Sequence, residues 1–476
     1  MKRVFGIDFG TTSSAVVGVL IDDDVRIIKY GEEGSPIPSI VAIDKETGEI
    51  TTGRAAWKQR QTLSENCEII TSVKTYLEDP KYCRIVAGKE WYPIDVAREL
   101  FKSLKKAVYE RTSEDMTEAT VSIPVGFSAE KRDILRKAAL DTGVYITSFV
   151  SEPTAAFFSN YQYLKSCNNV VVFDWGGGTL DVSVLQNKNG NIYELSKAGL
   201  DIAGDKFDDK IARDIHSRIS KKKGIEIAFD DMPLNCQDKL RVISEQAKRN
   251  LSSNTEASVY AINYGPYGIV NETLTYEQLC NIVQPEIEMA LDCLKEAIDQ
   301  SKIGLPNINR IVLVGGSSKL KILKERMLRE YGDLLYSPDE PDWDIGQGAA
   351  LLSLEKGDNY SNQSVGIILS DNTYYEFLGK DTKLNNWSKT YNFAVTDSSD
   401  CAQFVFDGSP DIRELPDRYR TINVDIYKFL QEKIKVHVSV DENLIFTVTA
   451  CSSMKPNKYE QVWTYTKLKC YYKLPL

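Results

Sequence analysis

The sequence predicts two related α/β halves that flank a cleft, followed by a small all-β domain. Three observations lead to this fold class. A turn rich in glycine and threonine joins two apolar runs twice, in "VFGIDFGTTSSAVVGVL" and "VVVFDWGGGTLDVSVL". Strand-like and helix-like segments alternate through residues 1–355, whereas residues 365–476 are predicted to form short alternating strands. The chain of 476 residues is long enough for about three domains.

Composition excludes several classes of protein. The formal net charge is −10 and no basic stripe is present, so we expect no nucleic-acid partner. Asp8 interrupts the first apolar run too early for a secretory signal, and no apolar stretch approaches the roughly 18 residues that a membrane helix needs. We therefore expect a cytoplasmic protein without a membrane partner.

Cysteine and histidine usage narrows the chemistry. The nine cysteines include no Cys-x-x-Cys pair, and we expect them to be reduced. With two histidines, a histidine-based triad or an imidazole-rich metal site is not expected. The chemistry is therefore expected to depend on carboxylates, hydroxyls, lysines and the backbone.

Each repeated segment is predicted to form two strands joined by a tight turn, with Asp8 or Asp174 at the end of the first strand. Glycine lets the backbone approach a ligand closely, and successive amides in such a turn can bind an anion. Because carboxylates do not bind phosphate directly, the aspartates predict a cation, and we expect Mg²⁺ with retained waters. For either copy alone an ordinary β-turn is the alternative; together they predict two facing phosphate-binding hairpins. The turn residues are Gly10, Thr11 and Thr12 in the first copy and Gly176, Gly177, Gly178 and Thr179 in the second.

Helices and strands are predicted between and after the two copies. "ATVSIP" predicts a strand, and Ser128 is expected to cap a helix over residues 129–142. A further helix is expected to begin at Pro153, where the missing N–H is tolerated. "IVLVGGSSKL" predicts a buried strand, Gly315 and Gly316, and a helix capped by Ser317 or Ser318 whose N-terminus is a third potential anion site.

The segment "QDKLRVISEQAKRNLSS" predicts a helix with two distinct faces. Leu240, Ile243, Ala247 and Leu251 form an apolar stripe, and Glu245, Lys248, Arg249 and Ser252 follow the same spacing on a polar patch. The patch is predicted to be either a solvent face with salt bridges or a clamp for a nucleoside.

A polar linker is predicted over residues 356–364, "KGDNYSNQS". In "IKVHVSVDENLIFTVTA" we expect Ile434, Val436, Val438 and Val440 on one face, a turn over residues 441–443, and Leu444, Phe446 and Val448 returning.

No P-loop motif occurs, and no dinucleotide fingerprint follows a strand. "GIDFGTTSSAVV", "FDWGGGTLDVSV" and "IVLVGGSS" resemble the phosphate and adenosine motifs of the actin, hexokinase and heat-shock chaperone ATPases. "SEPTAA", "EQAKRNLSS" and "VSIPVGFSAEKR" resemble the DnaK-type 70-kDa heat-shock chaperones in particular. The resemblance spans nearly all of residues 1–355. It implies a two-lobed actin-like ATPase domain with a duplicated ribonuclease H-like fold, in which lobe I covers about 1–168 and 343–355 and lobe II about 169–342.

The resemblance implies roles for individual residues. Asp8, Asp174 and Asp181 would surround Mg²⁺ mostly through water, while Thr11, Thr12 and Thr179 would hold phosphate oxygens. Glu152 would orient the attacking water or the magnesium shell, and Lys74 would neutralise the γ-phosphate. Lys74, Glu152, Asp174 and Thr179 are thus the implied catalytic residues. The other implied nucleotide contacts are Gly10, Gly176, Gly177, Gly178, Gly204, Glu245, Lys248, Arg249, Ser252, Gly315, Gly316, Ser317, Lys319 and Asp342.

The implied activity is a slow, Mg²⁺-dependent ATP hydrolysis coupled to the binding of unfolded or extended polypeptide, with ATP or ADP as cofactor and K⁺ as a further candidate ion. Co-chaperones are candidate partners, and Pro124 and Arg132 match a family pair that relays the nucleotide state. Residues 365–476 resemble the family's β-sandwich peptide-binding domain more faintly, and no helical lid is predicted.

Besides the helical lid, which is not predicted, the chain departs from the family at three further places. The family's linker is aliphatic, whereas residues 356–364 are polar, and Lys319 replaces an arginine that stacks on adenine. The segment around "SPDEPDWDIG" aligns in two ways, with Asp342 preferred over Asp339. One alternative function is an ATP-regulated scaffold or filament-forming protein with an adaptor β-domain. Another is a small-molecule kinase, for which the chain has no sugar-kinase signature.

Overall fold

The computed structural model describes residues 2–22, 24–355, 357–395, 399–407, 419–426, 432–454 and 460–474. By its internal contacts the chain divides into two compact units. The α/β unit comprises Met1–Gly126, Ile134–Lys188 and Glu194–Glu355, and the β-rich unit comprises Phe127–Asp133, Asn189–Tyr193 and Lys356–Leu476. Lys356, with which the expected linker starts, and the last two residues of the expected β-domain lie outside the described residues.

The first half of the α/β unit is built on a mixed sheet. Its strands have the order β11-β10-β1-β2-β3, and β4 pairs with β2. The pairing of β1 with β2 is antiparallel and that of β1 with β10 is parallel. The elements up to residue 164 are β1 (Lys2–Asp8), β2 (Ser13–Ile21), β3 (Val25–Tyr30), β4 (Ile37–Pro38), β5 (Ile40–Asp44), β6 (Ile50–Thr52), α1 (Gly53–Asn66), β7 (Cys67–Thr71), α2 (Val73–Tyr76), β8 (Arg84–Val86), β9 (Lys89–Trp91), α3 (Pro93–Thr112), β10 (Glu118–Ile123), α4 (Ala129–Leu140), β11 (Tyr145–Ser151), α5 (Glu152–Ser159) and α6 (Tyr161–Leu164).

The second half repeats this strand order with β18-β17-β12-β13-β14. Here too the strand before the turn pairs antiparallel with the strand after it, and parallel with the strand on its other side. The elements of this half are β12 (Asn169–Trp175), β13 (Leu180–Lys188), β14 (Asn191–Leu200), α7 (Gly204–Lys223), α8 (Leu234–Asn250), β15 (Glu256–Ala261), β16 (Val270–Thr275), α9 (Tyr276–Ser301), β17 (Arg310–Val314), α10 (Lys321–Tyr331), β18 (Leu335–Tyr336) and α11 (Asp344–Glu355).

The central strands are buried on both faces, which explains why their sequences are continuous apolar runs instead of alternating ones. Val170, Val171, Val172 and Phe173 of β12 are each at most 1% exposed. The apolar stripe of α8 packs into the same core, where Leu240, Ala247 and Leu251 are buried and Ile243 is partly buried. The sequence prediction of this helix and of its core face is confirmed.

Two elements begin differently from the sequence prediction. Helix α5 starts at Glu152, one residue before Pro153, because Ser151 accepts the backbone N–H of Thr154 and so caps the helix. Gly316–Lys319 forms a short 3₁₀ turn, and α10 begins only at Lys321. The prediction that Ser317 or Ser318 caps this helix is wrong, because both serines lie inside the turn.

The β-rich unit contains two four-stranded sheets, with the orders β21-β20-β23-β24 and β22-β25-β26-β27. Side chains of both sheets share one core, and Ile434, Val436, Val438, Phe446 and Val448 are buried in it as predicted. The mixed α/β fold with a β-rich C-terminal region is confirmed. The strands are β19 (Asp358–Ser361), β20 (Val365–Ile368), β21 (Tyr374–Leu378), β22 (Ser388–Ala394), β23 (Cys401–Asp407), β24 (Tyr419–Asp425), β25 (Lys433–Val440), β26 (Phe446–Ser452), β27 (Gln461–Tyr465) and β28 (Cys470–Lys473).

The segment that we expected to be a polar linker contains strand β19. Its four residues pair antiparallel with β28, from Asp358 opposite Lys473 to Ser361 opposite Cys470. Ser361 is fully buried, and its hydroxyl donates to the carbonyl of Gln363 at 2.6 Å. Polar residues can form a strand here because a distant partner strand satisfies their backbone groups.

Candidate functional site

A cavity of about 430 Å³ lies in the α/β unit. Volumes of this size are typical of small-molecule sites. All of the site residues singled out from the sequence contribute to its lining. They are Asp8, Gly10, Thr11, Thr12, Lys74, Glu152, Asp174, Gly176, Gly177, Gly178, Thr179, Asp181, Gly204, Glu245, Lys248, Arg249, Ser252, Gly315, Gly316, Ser317, Lys319 and Asp342.

The two glycine-threonine turns meet at one end of the cavity. A Cβ atom placed on Gly177 would lie 2.6 Å from the Thr12 side chain, and one on Gly178 would lie 2.9 Å from Thr11 Cγ2. Glycine is therefore required at both positions by the close approach of the opposite turn. Within the second turn, the N–H of Gly176 donates to the carbonyl of Thr179 at 3.1 Å.

Strand pairing brings the carboxylates of this end together. Asp174 on β12 lies directly opposite Asp181 on β13, and Thr179 Oγ1 donates to Asp181 Oδ2 at 2.9 Å. Asp8, the last residue of β1, accepts a hydrogen bond of 3.0 Å from Ser122 Oγ of β10. Asp8 and Asp174 thus occupy equivalent positions, because β1 and β12 are equivalent strands of the two sheets.

Lys74 forms a buried ion pair with Glu152 beside these aspartates. Lys74 Nζ donates to Glu152 Oε1 at 2.7 Å, and the two residues are 7% and 6% exposed. The short helix α2 carries the lysine, and Ser72 precedes it with a left-handed φ of 58°. This turn of the chain directs Lys74 inward, although its sequence surroundings give little sign of it.

The electrostatics of this end are dominated by burial. Burial raises the pKa of Asp8, although Lys74 acts in the opposite direction, and burial raises the pKa of Glu152 in the same way. The pKa of Asp174 is raised well above its usual range by burial and by the charge of Glu152. For Lys74, burial alone would lower the pKa, but the charges of Glu152 and Asp8 outweigh it and raise the pKa.

These raised carboxylate pKa values bear on whether a cation fits the site. Several buried carboxylates share one ammonium group, so a divalent cation and its waters would supply the missing positive charge. Among the described residues, no three carboxylate, histidine or cysteine side chains are arranged to hold a metal ion directly. Mg²⁺ usually keeps several of its waters, and the expected site for it is of that water-mediated kind.

Helices α7 and α8 and the Gly315–Lys319 segment form a further part of the cavity wall. Lys248 Nζ donates to the carbonyl of Gly204 at 3.0 Å and pairs with Asp208 at 2.7 Å. Arg249 pairs with Glu245 at 2.8 Å, so the polar patch of α8 carries a salt bridge and also lines the cavity. The last of the four patch residues, Ser252, lies just past the end of the helix.

The Gly315–Lys319 segment packs against the second hairpin. Gly315 has a φ of +81°, and a Cβ atom there would lie 2.6 Å from Asp174 Oδ1. Ser317 Oγ donates to the carbonyl of Gly176 at 2.6 Å. Lys319 forms an ion pair with Asp342, whereas Asp339, the alternative alignment, is exposed.

The lining residues that were missed from the sequence include four with charged or aromatic side chains: Arg54, Trp57, Asp205 and Asp208. Asp205 directly follows Gly204 in α7 and Asp208 lies one turn further along, and Thr12 Oγ1 donates to Asp205 Oδ2 at 3.4 Å. Because Gly204 was itself predicted to contact the nucleotide, the two aspartates that soon follow it could have been predicted to lie near the site. Of the pair associated with the relay of nucleotide state, Pro124 lines the cavity, and Arg132 donates to the carbonyl of Phe127 at 2.7 Å.

The fold and this cavity together fit the class of actin-like ATPases, in which two α/β halves enclose a nucleotide. A family model described as Hsp70 protein matches residues 77–373, well over half of the chain. The chain therefore belongs to the 70-kDa heat shock protein (Hsp70) family, and an ATP-binding, chaperone-like role follows from this membership. None of the helices among the described residues has the length and apolarity that crossing a membrane would require.

Proposed function

We propose that this protein hydrolyses ATP slowly, with Mg²⁺, in the cavity of the α/β unit. The observation that carries the proposal is that residues from well-separated segments, selected from the sequence by their motifs and by the family resemblance, line one cavity. Two glycine-rich turns face each other at the end where Lys74 and Glu152 are paired. Backbone amides, hydroxyls and one buried lysine are the groups that a polyphosphate requires.

The residues of the chain would act mainly by positioning and by charge. We assign Thr11, Thr12 and Thr179 to the phosphate oxygens and Lys74 to the terminal phosphate. Glu152 would orient the attacking water. Mg²⁺, when bound through waters to Asp8, Asp174 and Asp181, would neutralise phosphate charge. Because such a site adds no covalent step, a slow turnover that suits a timing role is expected.

We further infer that the two halves of the α/β unit are a duplicated ribonuclease H-like fold. The corresponding order of five strands in each sheet and the equivalent positions of Asp8 and Asp174 support this. Lobe I would then cover about 1–168 and 343–355, and lobe II about 169–342. Because the two turns are in contact, we expect the cavity to open when the turns move apart.

We also propose that nucleotide state is coupled to the binding of extended polypeptide by the β-rich unit, in the cytoplasm, with co-chaperones as partners and K⁺ as an additional ion. Family membership and the two-sheet core of residues 365–474 support this part. Polypeptide binding to sheets commonly uses main-chain hydrogen bonds together with pockets for alternate side chains.

Phosphate release tests the hydrolysis directly. The full-length protein is incubated with ATP and Mg²⁺ without any phosphate acceptor, and inorganic phosphate is measured over time. We expect slow release that stops when a chelator removes Mg²⁺. Transfer only to an added small-molecule acceptor would contradict the proposal and favour a kinase.

A further inference from the structure

Helix α1, which packs against α8, contributes to the wall of the cavity. Arg54 and Trp57 of this helix both line the cavity. Among the described residues of the lining, Trp57 supplies the only aromatic ring. The ring is half-buried, so part of its surface is held by the protein and part faces the cavity.

Trp57 lies on a helix that contacts α8, whose polar patch is expected to hold the nucleoside. Helix α1 packs against α8, which carries Glu245, Lys248 and Arg249. Electrostatics indicate the same proximity, because burial lowers the pKa of Arg54 and the charge of Arg249 lowers it further.

The indole ring is held in place from several sides. The guanidinium carbons of Arg54 and Arg60 lie 5.3 and 5.6 Å from the centre of the Trp57 ring system, within the range of cation–π attraction. The ring also packs against a small apolar cluster of Ile40, Ala42, Ala56 and Cys67. An aromatic side chain fixed in this way can bind a ligand with little loss of side-chain freedom.

Arg54 adds an available donor next to the ring. Its Nε atom is buried and has no hydrogen-bond partner among the described residues, and its Nη2 makes only a long contact of 3.5 Å to the carbonyl of Pro36. A buried donor without a partner is costly, which points to an acceptor that arrives with a ligand. The aromatic surface is suited to a nucleoside and not to a polyphosphate, whereas a guanidinium can donate to either.

We propose that Trp57 is a specificity-determining residue that contacts the nucleoside of the bound nucleotide, with Arg54 Nε donating to it. This inference depends on the proposed ATP binding. It adds to the site an aromatic contact that the residues predicted from the sequence do not provide. The planar faces of a purine and the carbons of its ribose are the parts of ATP that gain from aromatic contact. The phosphates do not contact the Trp57 ring in this arrangement. The ring should therefore strengthen the binding of ligands that carry a base and leave the binding of ligands without one unchanged.

The contributions of the nucleoside and of the phosphates to binding can be separated by titrating the full-length protein with two ligands. One is ATP with Mg²⁺, and the other is inorganic tripolyphosphate, which has no nucleoside, with Mg²⁺. We expect Trp57→Ala to weaken ATP binding at least about fivefold, the lower range for loss of an aromatic–base contact. Tripolyphosphate binding should stay within twofold of the wild type. Trp57→Phe should retain most of the ATP affinity. Gln59→Ala, at an exposed position of the same helix, is the matched control and should behave as the wild type.

A fluorescence titration keeps the test independent of the stability of the alanine variant. ATP should change the tryptophan emission of the wild type, and this change should be absent in Trp57→Phe but present in Trp91→Phe, whose ring is 3% exposed and not part of the cavity lining. If wild-type protein binds neither ligand, the proposed ATP site fails. If it binds ATP but Trp57→Ala binds ATP equally well, or loses both ligands to the same degree, the nucleoside contact is wrong while the ATP site stands.

Discussion

Lys74 is the residue on which the proposed chemistry depends most. Its ammonium group is buried next to four acidic side chains of the cavity, and its pKa is raised because Glu152 and Asp8 outweigh the effect of burial. The lysine therefore stays protonated at neutral pH. A fixed positive charge at the end where the turns meet is suited to the transition state of phosphoryl transfer, in which charge spreads over the terminal phosphate.

We expect Lys74→Ala and Thr179→Ala each to reduce ATP hydrolysis at least about a hundredfold, the usual effect of removing one preorganised charge or donor. Nucleotide binding should remain, because most of the cavity lining is unchanged. Phosphate release and calorimetric titration measure the two properties separately. Lys81→Ala, at an exposed position after α2, is the control. Wild-type turnover in the two variants would contradict the assigned roles.

Residues with a local motif could be placed from the sequence, and residues without one could not. Asp8, Asp174 and the turn glycines are flanked by apolar runs that define their strands, and the polar patch of α8 follows helical spacing. Arg54 and Trp57 reach the cavity only because α1 packs against α8, a contact between segments far apart in the chain. No spacing rule within α1 indicates that contact.

Helix α11 is the element that shows how closely the α/β unit is packed. A Cβ atom on Gly348 would lie 1.8 Å from the backbone oxygen of Ala155 in α5, and one on Gly6 would lie 2.1 Å from the backbone nitrogen of Ala350 in α11. Glycine is needed at both positions because backbone atoms cannot move aside as a side chain can.

Gly348→Ala should therefore lower the free energy of unfolding by at least about 3 kcal/mol, the upper range for overpacking a core. Gly346→Ala in the same helix is the matched control, because its Cβ would meet its nearest neighbour at an ordinary 3.4 Å. That variant should change stability by less than about 1 kcal/mol, since alanine is also the better helix former. Thermal unfolding of both proteins measures the difference. Equal melting temperatures would contradict the packing described for α11.

The first residue of α11, Asp344, gives a pH-dependent prediction. Burial raises its pKa to about 6, and the hydrogen bonds from Asn160 and Ser159 offset this only in part. An acid whose pKa is raised on folding stabilises the folded state fully at pH values below its pKa in the unfolded chain, here 3.8. This stabilisation is lost as the pH rises through the folded-state pKa of about 6. A difference of this size corresponds to roughly 3 kcal/mol.

The unfolding free energy of the wild type should thus fall between about pH 4 and pH 7 by that contribution, and Asp344→Asn should lack this part of the pH dependence. Asp339→Asn, at an exposed position in the preceding segment, is the control and should keep the wild-type profile. Denaturant unfolding at several pH values measures the three profiles. Parallel profiles for the wild type and Asp344→Asn would contradict the buried acid.

Helices and strands could be predicted from the sequence where a local pattern of apolar and polar residues defines them. The strands β25 and β26 alternate buried with more accessible residues as expected, but Leu444, expected in the returning strand, lies in the turn before it with a left-handed φ of 59°. Strand β19 was missed because its polar residues carry no alternation, and its partner β28 lies at the far end of the chain. The 3₁₀ turn before α10 was missed because serines near a helix start are usually caps.

For the whole molecule, the coupling of the two units is the proposal with the widest consequences. If the β-rich unit binds extended polypeptide, a mixed library of apolar peptides should change the rate of ATP hydrolysis several-fold. The same library should leave the turnover of Lys74→Ala at its residual level. Steady-state phosphate release with and without peptide measures this. An unchanged rate together with ATP-dependent light scattering would instead favour the scaffold or filament alternative.

The most direct measurement of the central claim is a calorimetric titration of the full-length protein with ATP and Mg²⁺. The account predicts saturable binding with one nucleotide per chain, weakened when Mg²⁺ is omitted. Gly177→Val, which places a side chain against Thr12, should abolish it while the protein stays folded. No binding to the folded wild-type protein, or wild-type affinity in Gly177→Val, would contradict the claim that the two facing turns hold the phosphates of a nucleotide.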